Sequence, residues 1–317
     1  MNLSVNSRKL LSDRFMKRKP LILGLLCIAA LSLGLERLYY RQNGGFSIGK
    51  ITSPVLPSHV AHENLQDIDC LLEQPFHFLG SGGTSFAFLG EDGTTVLKLF
   101  KRQHFAAHGL FFHVCFPGIA DVWRIHKILQ REWQHQHKRQ AFFFNSCQLA
   151  YQHLKEETGL LFLTLSPDLH FSRRVKLIDA WGVPHSFDLS RAEFAVQKKA
   201  NLLYPVLEKL LKDGRQEEAK QAIDSLLKLI SARCAKGIGD RDPNLLINFG
   251  FNDGKAIEID LGSYYLKPEL SSPFATAQEL FLSTYALQKW LEKHSPDLLN
   301  YVRDQIAKVT ILNETAR

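Results

Sequence analysis

The chain has 317 residues, 45% of them hydrophobic and 22% charged, a length and balance that allow one large or two small domains and argue against wholesale disorder. Its formal charge of +7 does not describe a nucleic-acid-binding face, because Arg8, Lys9, Arg14, Lys17, Arg18 and Lys19 against Asp13 concentrate most of that excess before residue 20. Five scattered cysteines (Cys27, Cys70, Cys115, Cys147 and Cys234), with no C-x-x-C, argue against a disulfide framework and a structural zinc site.

Lys17-Arg18-Lys19-Pro20 precedes an uncharged apolar run, Leu21 to Leu35, which ends at Glu36-Arg37. As a helix the run spans about 22 Å, short of the roughly 30 Å hydrocarbon core. Its length and basic flank suit a signal peptide. The lack of a small-x-small cleavage site and the aromatic Leu38-Tyr39-Tyr40 suit an uncleaved single-pass anchor. The expectation is a membrane protein held through residues 21–35, with secretion through a cleaved N-terminal signal as the alternative. Residues 1–40 are thus a basic N-terminus plus anchor or signal. Residues 41–70, with Asn43-Gly44-Gly45, Pro54 and Pro57, read as a linker.

Short strands are predicted at Phe76–Leu79, Phe86–Leu89 and Thr95–Phe100, around a Gly-rich turn and the hairpin turn Glu91-Asp92-Gly93. Helices follow at 119–139 and Asn145–Glu157, the second stopped by Gly159. Further strands are expected at Leu160–Leu165, Val175–Ala180, Ser186–Leu189 and Phe194–Gln197. From residue 201 the pattern is helical: Glu217–Ala235 capped by Gly237, then 274–293 and 297–311. Residues 71–200 therefore form a sheet-bearing half and 201–317 a helical half, an α+β arrangement.

The chemistry-bearing residues fall in a fixed order. Gly80, Gly82, Gly83 and Ser85 lie between two strands, which excludes the dinucleotide fingerprint and the Walker loop, since both feed a helix. A strand–turn–strand can instead fold over a triphosphate and offer backbone N–H groups. Lys98 shares a strand face with Val96 and Phe100, where it is either an edge charge or a phosphate-binding charge. Asp240 lies in Gly239-Asp240-Arg241-Asp242-Pro243-Asn244, ahead of Leu245-Leu246-Ile247, which reads as a buried strand. A second strand, Ala256–Ile259, ends in Asp260, an acid in an apolar context that calls for a metal or a partner.

Together these residues resemble the protein-kinase-like superfamily over roughly residues 75–262. Gly239-Asp240-Arg241 and the following Asn are most similar to the catalytic loop of the phosphoinositide-kinase branch, and Asp260-Leu261-Gly262 to the Asp-Phe-Gly metal motif. The resemblance implies a two-lobed kinase-like fold, with an antiparallel sheet N-lobe (71–200), a small, mainly helical C-lobe (201–317) and an apolar N-terminal helix before them. It implies ATP with Mg²⁺ or Mn²⁺ as cofactors. Asp240 would be the catalytic acid/base and Lys98 the α/β-phosphate partner. Gly80, Gly82, Gly83 and Ser85 would cover the nucleotide, Glu132 would pair Lys98, with Glu156 next by sequence order, and Asn244 and Asp260 would bind metal. The implied function is a membrane-associated atypical phosphotransferase acting on a protein or lipid acceptor, with no nucleic-acid partner. The alternative is a pseudokinase serving as a membrane-tethered scaffold. Asn244 follows Asp240 by four residues where the family usually has five, Ser85 replaces the usual third glycine, and no Ala-Pro-Glu element follows at the usual distance.

Overall fold

The computed structural model describes residues 27–28, 30–53, 65–101, 122–166 and 173–311. Residues 30–42 are helical (α1), and the chain then passes through a turn at 43–45 and a single helical turn, Ile48–Ile51, before α2 (Leu65–Leu72). A seven-stranded sheet is built from β1 (Pro75–Ser81), β2 (Ser85–Gly90), β3 (Thr95–Phe100), β4 (Leu160–Thr164), β5 (Arg174–Ile178), β6 (Pro184–Asp188) and β7 (Phe194–Lys198). The order is β4-β7-β3-β2-β1-β5-β6. The sheet is mixed and not antiparallel throughout, because β1 and β5 pair in parallel, Phe76 opposite Leu177. The long connection between them makes this feasible, since a parallel pair needs a crossover and not a hairpin.

One face of this sheet is a core of alternating apolar residues, with Phe76, Phe86, Phe88, Leu97 and Leu99 from the first three strands meeting Phe162, Val175, Leu177, Phe187, Phe194 and Val196. Phe46 and Ile51 belong to the same core, Phe46 edge-on to Phe86 and Phe88 at 5.3 and 5.1 Å. The stretch from 41 to 53 is therefore packed structure and not a linker. Its Gly-Gly pair serves a tight approach: Gly44 has a left-handed φ of +55°, and a Cβ there would stand 2.5 Å from Ser81 Cβ.

α1 is fastened to the sheet at Asp179, just past β5. That buried carboxylate accepts from Tyr39 Oη at 2.6 Å, from the Trp181 and Val183 amides at 2.9 Å each, and from Asn43 Nδ2 at 3.4 Å, while His185 Nε2 lies 3.1 Å away. Burial raises its pKa, but the hydrogen bonds outweigh that and hold it down at about 2. Because the folded pKa lies below the unfolded one, Asp179 contributes stability above about pH 4, lost as the pH falls towards 2, worth roughly 2 kcal/mol. Asp179→Asn should remove that acid-dependent component, so that variant and wild type converge in urea midpoint towards pH 2 and diverge at pH 6.

The long helix also differs from expectation. The segment predicted as two helices is one, α3 (Val122–His153), with no Gly or Pro to break it. A single helical turn, Lys155–Thr158, follows and stops at Gly159, which has a left-handed φ of 62°. The second half comprises β8 (Asn201–Leu202), α4 (Leu203–Lys212), α5 (Gln216–Ala235), β9 (Ile238–Asp240), β10 (Phe249–Asn252), β11 (Lys255–Glu258), β12 (Tyr264–Leu266), α6 (Pro273–His294) and α7 (Pro296–Ile311). Ile223, Leu226 and Ile230 of α5 pack with Leu280, Leu287 and Leu291 of α6 and with Leu298 and Val302 of α7 in a second core. Phe100, Phe143, Cys147, Leu163, Ile238, Leu261 and Tyr264 form a third, where the sheet, α3 and the β9–β12 loops meet.

Among the described residues no helix is long and apolar enough to cross a membrane. Of the predicted anchor, residues 21–26 and 29 lie outside the described residues.

Candidate functional site

The Gly-rich turn joins β1 to β2 across a register shift between Phe78 and Gly80 and is closed by Gly82 N donating to Ser85 O at 3.0 Å. Gly80 and Gly83 have ordinary φ, and a Cβ on either would meet nothing within 4 Å. Packing within the protein therefore does not require glycine there; the space above the turn is open. Sequence reasoning missed the residue beneath it. Lys101, only 6% exposed, donates from Nζ to Ser81 Oγ at 2.7 Å and to the Gly82 carbonyl, and lies over the Phe86 ring at 4.4 Å. Burial, and then Lys50 nearby, push its pKa down.

Lys98 stands in the middle of β3, with Ala87 on β2 and Ala195 on β7 directly opposite. Cross-strand partners share a face, so only methyl groups flank its stem. Its ammonium donates to the carbonyl of Ile259, immediately before Asp260. Burial lowers the Lys98 pKa, and the charge of Asp260 opposes that shift. The side chain of the predicted partner, Glu132, lies outside the described residues. Position 132 is fifteen residues before Cys147 on α3, about 22 Å along the axis. It is Cys147, buried and with its thiol pKa pushed up by burial and by Asp260, that faces Lys98. Glu156, the other candidate by sequence order, is exposed.

Asp260 turns its loop by accepting the Gly262 amide at 3.1 Å. Gly262 lies against Phe143, whose ring would be 2.9 Å from a Cβ there, so this glycine is required by α3. Ser146, also on α3 and also missed in the sequence, donates to Leu261 O and accepts from Tyr264 N at 2.7 Å, clamping the Asp-Leu-Gly loop from both sides.

The loop after β9 departs from expectation. Leu245-Leu246-Ile247 is a turn, not a buried strand; Leu246 and Ile247 are 59% and 55% exposed, and the strand begins at Phe249. Asn244 is exposed and spends its side-chain oxygen on Leu246 N at 3.1 Å. Asn248 is buried instead. Its Nδ2 donates to Asp242 O at 3.0 Å, and its carbonyl accepts from Ile259 N at 2.7 Å. One asparagine thus ties Asp242 to the residue before Asp260, whereas Asn244 makes no such link. No lone signal marks Asn248, because it follows an apolar run that looks like strand.

Asp240 also lies elsewhere than predicted. It is 6% exposed, with Oδ1 accepting the Asp242 amide at 2.9 Å and Oδ2 buried without a partner. Its neighbours are Arg233, Glu258 and Tyr264, all essentially inaccessible. Arg233 is 3.6 Å from Glu258 and 3.4 Å from Glu279. Burial opposes its charge, but Glu258, Asp240 and the others more than restore it. Glu258 is pushed well above the usual carboxylate range, first by burial, with Asp240 adding to the shift against Arg233. A proton on Glu258 resolves what would otherwise be two facing acceptors. Asp240 is therefore set in the floor of the loop, and Asp242 is the exposed acid.

Between the Gly-rich turn, α3 and this loop lies a cavity of about 340 Å³ lined by Gly83, Thr84, Arg139, Phe142, Phe143, Arg241 and Gly262. Arg241 covers the Phe142 ring at 4.1 Å and Tyr265 at 5.3 Å. The cavity mouth is cationic and suited to phosphate oxygens. Among the described residues no three His, Cys, Asp or Glu side chains gather as a metal cage. A carboxylate and an amide oxygen, Asp260 and Asn248, are nonetheless donors that fit Mg²⁺, which takes one or two carboxylates and completes its shell with water and phosphate. No protein-family model matches this chain, and a search of curated proteins returns no match.

Proposed function

We propose that the chain is a membrane-associated, kinase-like phosphotransferase that uses ATP with Mg²⁺ or Mn²⁺, its sheet-bearing and helical halves acting as two lobes of a kinase-like fold. The observation that carries the reading is the convergence of three separate segments, β3, the loop after β9 and the loop after β11: Lys98 from β3 reaches the carbonyl beside Asp260, and Asn248 joins that same residue to Asp242. A bound divalent ion would neutralise charge on the phosphates. Lys98, flanked by alanines on the sheet face that meets α3, orients them from above. The Gly-rich turn, propped by Lys101, offers amides and excludes water. Asp242, exposed at the cleft, accepts the proton of an acceptor hydroxyl from a protein or lipid, and the Asp240–Glu258–Arg233 cluster fixes the loop beneath it. Positioning and electrostatics are the main contributions such a site makes.

Substitutions separate these roles. Asp242→Asn should lower phosphoryl transfer by about 100-fold or more while nucleotide binding persists. Asp240→Asn should chiefly alter thermal stability. Asn248→Ala should weaken Mg²⁺-dependent binding, and Asn244→Ala should change it little. Transfer from γ-labelled ATP to the protein itself or to added acceptors, alongside nucleotide titration, reads both effects. The assignment fails if Asn244→Ala and Asp240→Asn are the damaging pair. No nucleotide-induced stabilisation of wild type with either metal overturns the enzyme reading.

One observation favours the second reading, a nucleotide-binding pseudokinase that serves as a membrane-tethered scaffold. On α3 it is Cys147, not a carboxylate, that neighbours Lys98, and the lysine is bonded to the Ile259 carbonyl. Nucleotide binding with no transfer to any acceptor would decide for it.

A further inference from the structure

Ile28, just before α1, and Leu31, Leu35 and Leu38 of α1 follow helical spacing along one side, with Leu33 on the other, each between 45% and 68% exposed. A protein groove covers one stripe of a helix; side chains apolar on both sides suit lipid. Ser32, among them, donates to its own helix at Ile28 O, 2.8 Å away, leaving no hydroxyl in need of water. Charge and aromatic rings return together at Glu36, Arg37, Tyr39, Tyr40 and Arg41, net positive and the composition of a headgroup layer.

A second element lies at that level. The turn between β5 and β6 presents Trp181 and Val183, 47% and 44% exposed, around Gly182 with φ +79°. Exposed turns normally carry polar residues. The Trp181 ring lies 5.7 Å from Tyr39. Asp179 accepts the amides that shape this turn and the Tyr39 hydroxyl that ends the helix, and Asn43 Oδ1 takes the Ala180 amide at 2.8 Å. Helix end and turn are thus one rigid unit.

We propose that this unit is a membrane-seating surface: α1 enters an anionic lipid bilayer up to Leu35, and Trp181 and Val183 rest in the headgroup layer beside Tyr39 and Tyr40. The inference rests on the membrane association proposed above and goes further, since it fixes the domain against the bilayer where a free tether would leave it loose. It requires insertion, not crossing.

Full-length protein is mixed with vesicles of phosphatidylcholine and phosphatidylglycerol, three to one, with plain or acyl-brominated phosphatidylcholine, and tested for flotation and tryptophan emission. Wild type should float, and bromolipid should quench its emission; Trp181→Phe should float equally and lose most of the bromolipid-dependent quenching. Tyr39→Phe should float with reduced quenching, because the turn is released from the helix. Flotation with equal quenching in wild type and Trp181→Phe overturns the seating surface but leaves the anchor standing. No flotation, with the chain a soluble dimer joined through α1, overturns both. Neither outcome bears on nucleotide binding.

Discussion

Asp260→Ala should abolish the Mg²⁺-dependent stabilisation by ATP, and Lys98→Met should weaken nucleotide binding by roughly 10- to 100-fold, the worth of one charge-assisted hydrogen bond. Lys98 is bonded to the carbonyl next to Asp260 and senses its charge, so the two effects should not add; a double variant should bind about as poorly as Asp260→Ala alone. The relevant readout is the shift in melting temperature between nucleotide-free and Mg²⁺-ATP samples. The nucleotide-free value alone is ambiguous, because Lys98 is partly buried and its removal relieves a desolvation cost. Burial lowers the Lys98 pKa, so its charge is lost at a lower pH than that of a free lysine. Binding should therefore fall in alkali before ordinary lysines titrate, and Lys98→Arg should move that fall upward. Unchanged nucleotide shifts in both Asp260→Ala and Lys98→Met would sink the site.

The largest stability effect should come from Arg233→Met. Arg233 and Glu258 are 0% and 1% exposed, and Asp240 and Glu279 lean on the same guanidinium. Removing the one cation from a buried acidic cluster costs about 3–5 kcal/mol, or roughly 10 °C in melting temperature for a domain of this size. Glu258→Gln should behave in the opposite way. Folding holds a proton on Glu258 that the unfolded chain releases near pH 4.3, so wild-type stability falls as the pH rises above that value. Glutamine imitates the protonated acid and carries no such penalty. The variant should match wild type near pH 4 and become the more stable of the two towards pH 8. Parallel stability curves across that range would show that Glu258 is ionised in the fold.

The strands around the Gly-rich turn were legible because their apolar residues alternate and their turns carry Gly and Asp, and α5 because its apolar residues recur at helical spacing up to a glycine. The stretch 41–53 was hidden by the opposite signal. Gly44-Gly45 has linker composition, yet the pair is there to let the backbone reach Ser81, which only tertiary contact reveals. Lys98 and Asp260 were legible from order along the chain, and the structure brings them together. Asn248 and Asp242 were not, since Leu245-Leu246-Ile247 imitates a strand and draws attention to the earlier asparagine. Glu258 gave no signal apart from ending a strand; its partner Arg233 lies on a different element, beyond any local pattern. Cys147 facing Lys98 follows from the phase of one uninterrupted helix, which the reading as two helices had scrambled.

The strand order carries a consequence for synthesis. β3 emerges early and pairs at once with β2, but its other neighbour, β7, is encoded about a hundred residues later. At typical elongation rates that interval lasts roughly 5–20 s. Throughout it, a Val-Leu-Lys-Leu-Phe edge is exposed on the nascent chain, next to an apolar segment at residues 21–35 that has already left the ribosome. Early capture of that first segment by a membrane or a chaperone would keep the two from meeting, so truncation of residues 1–40 has two opposing influences on yield: it removes a sticky neighbour, and it removes the means of withdrawing it.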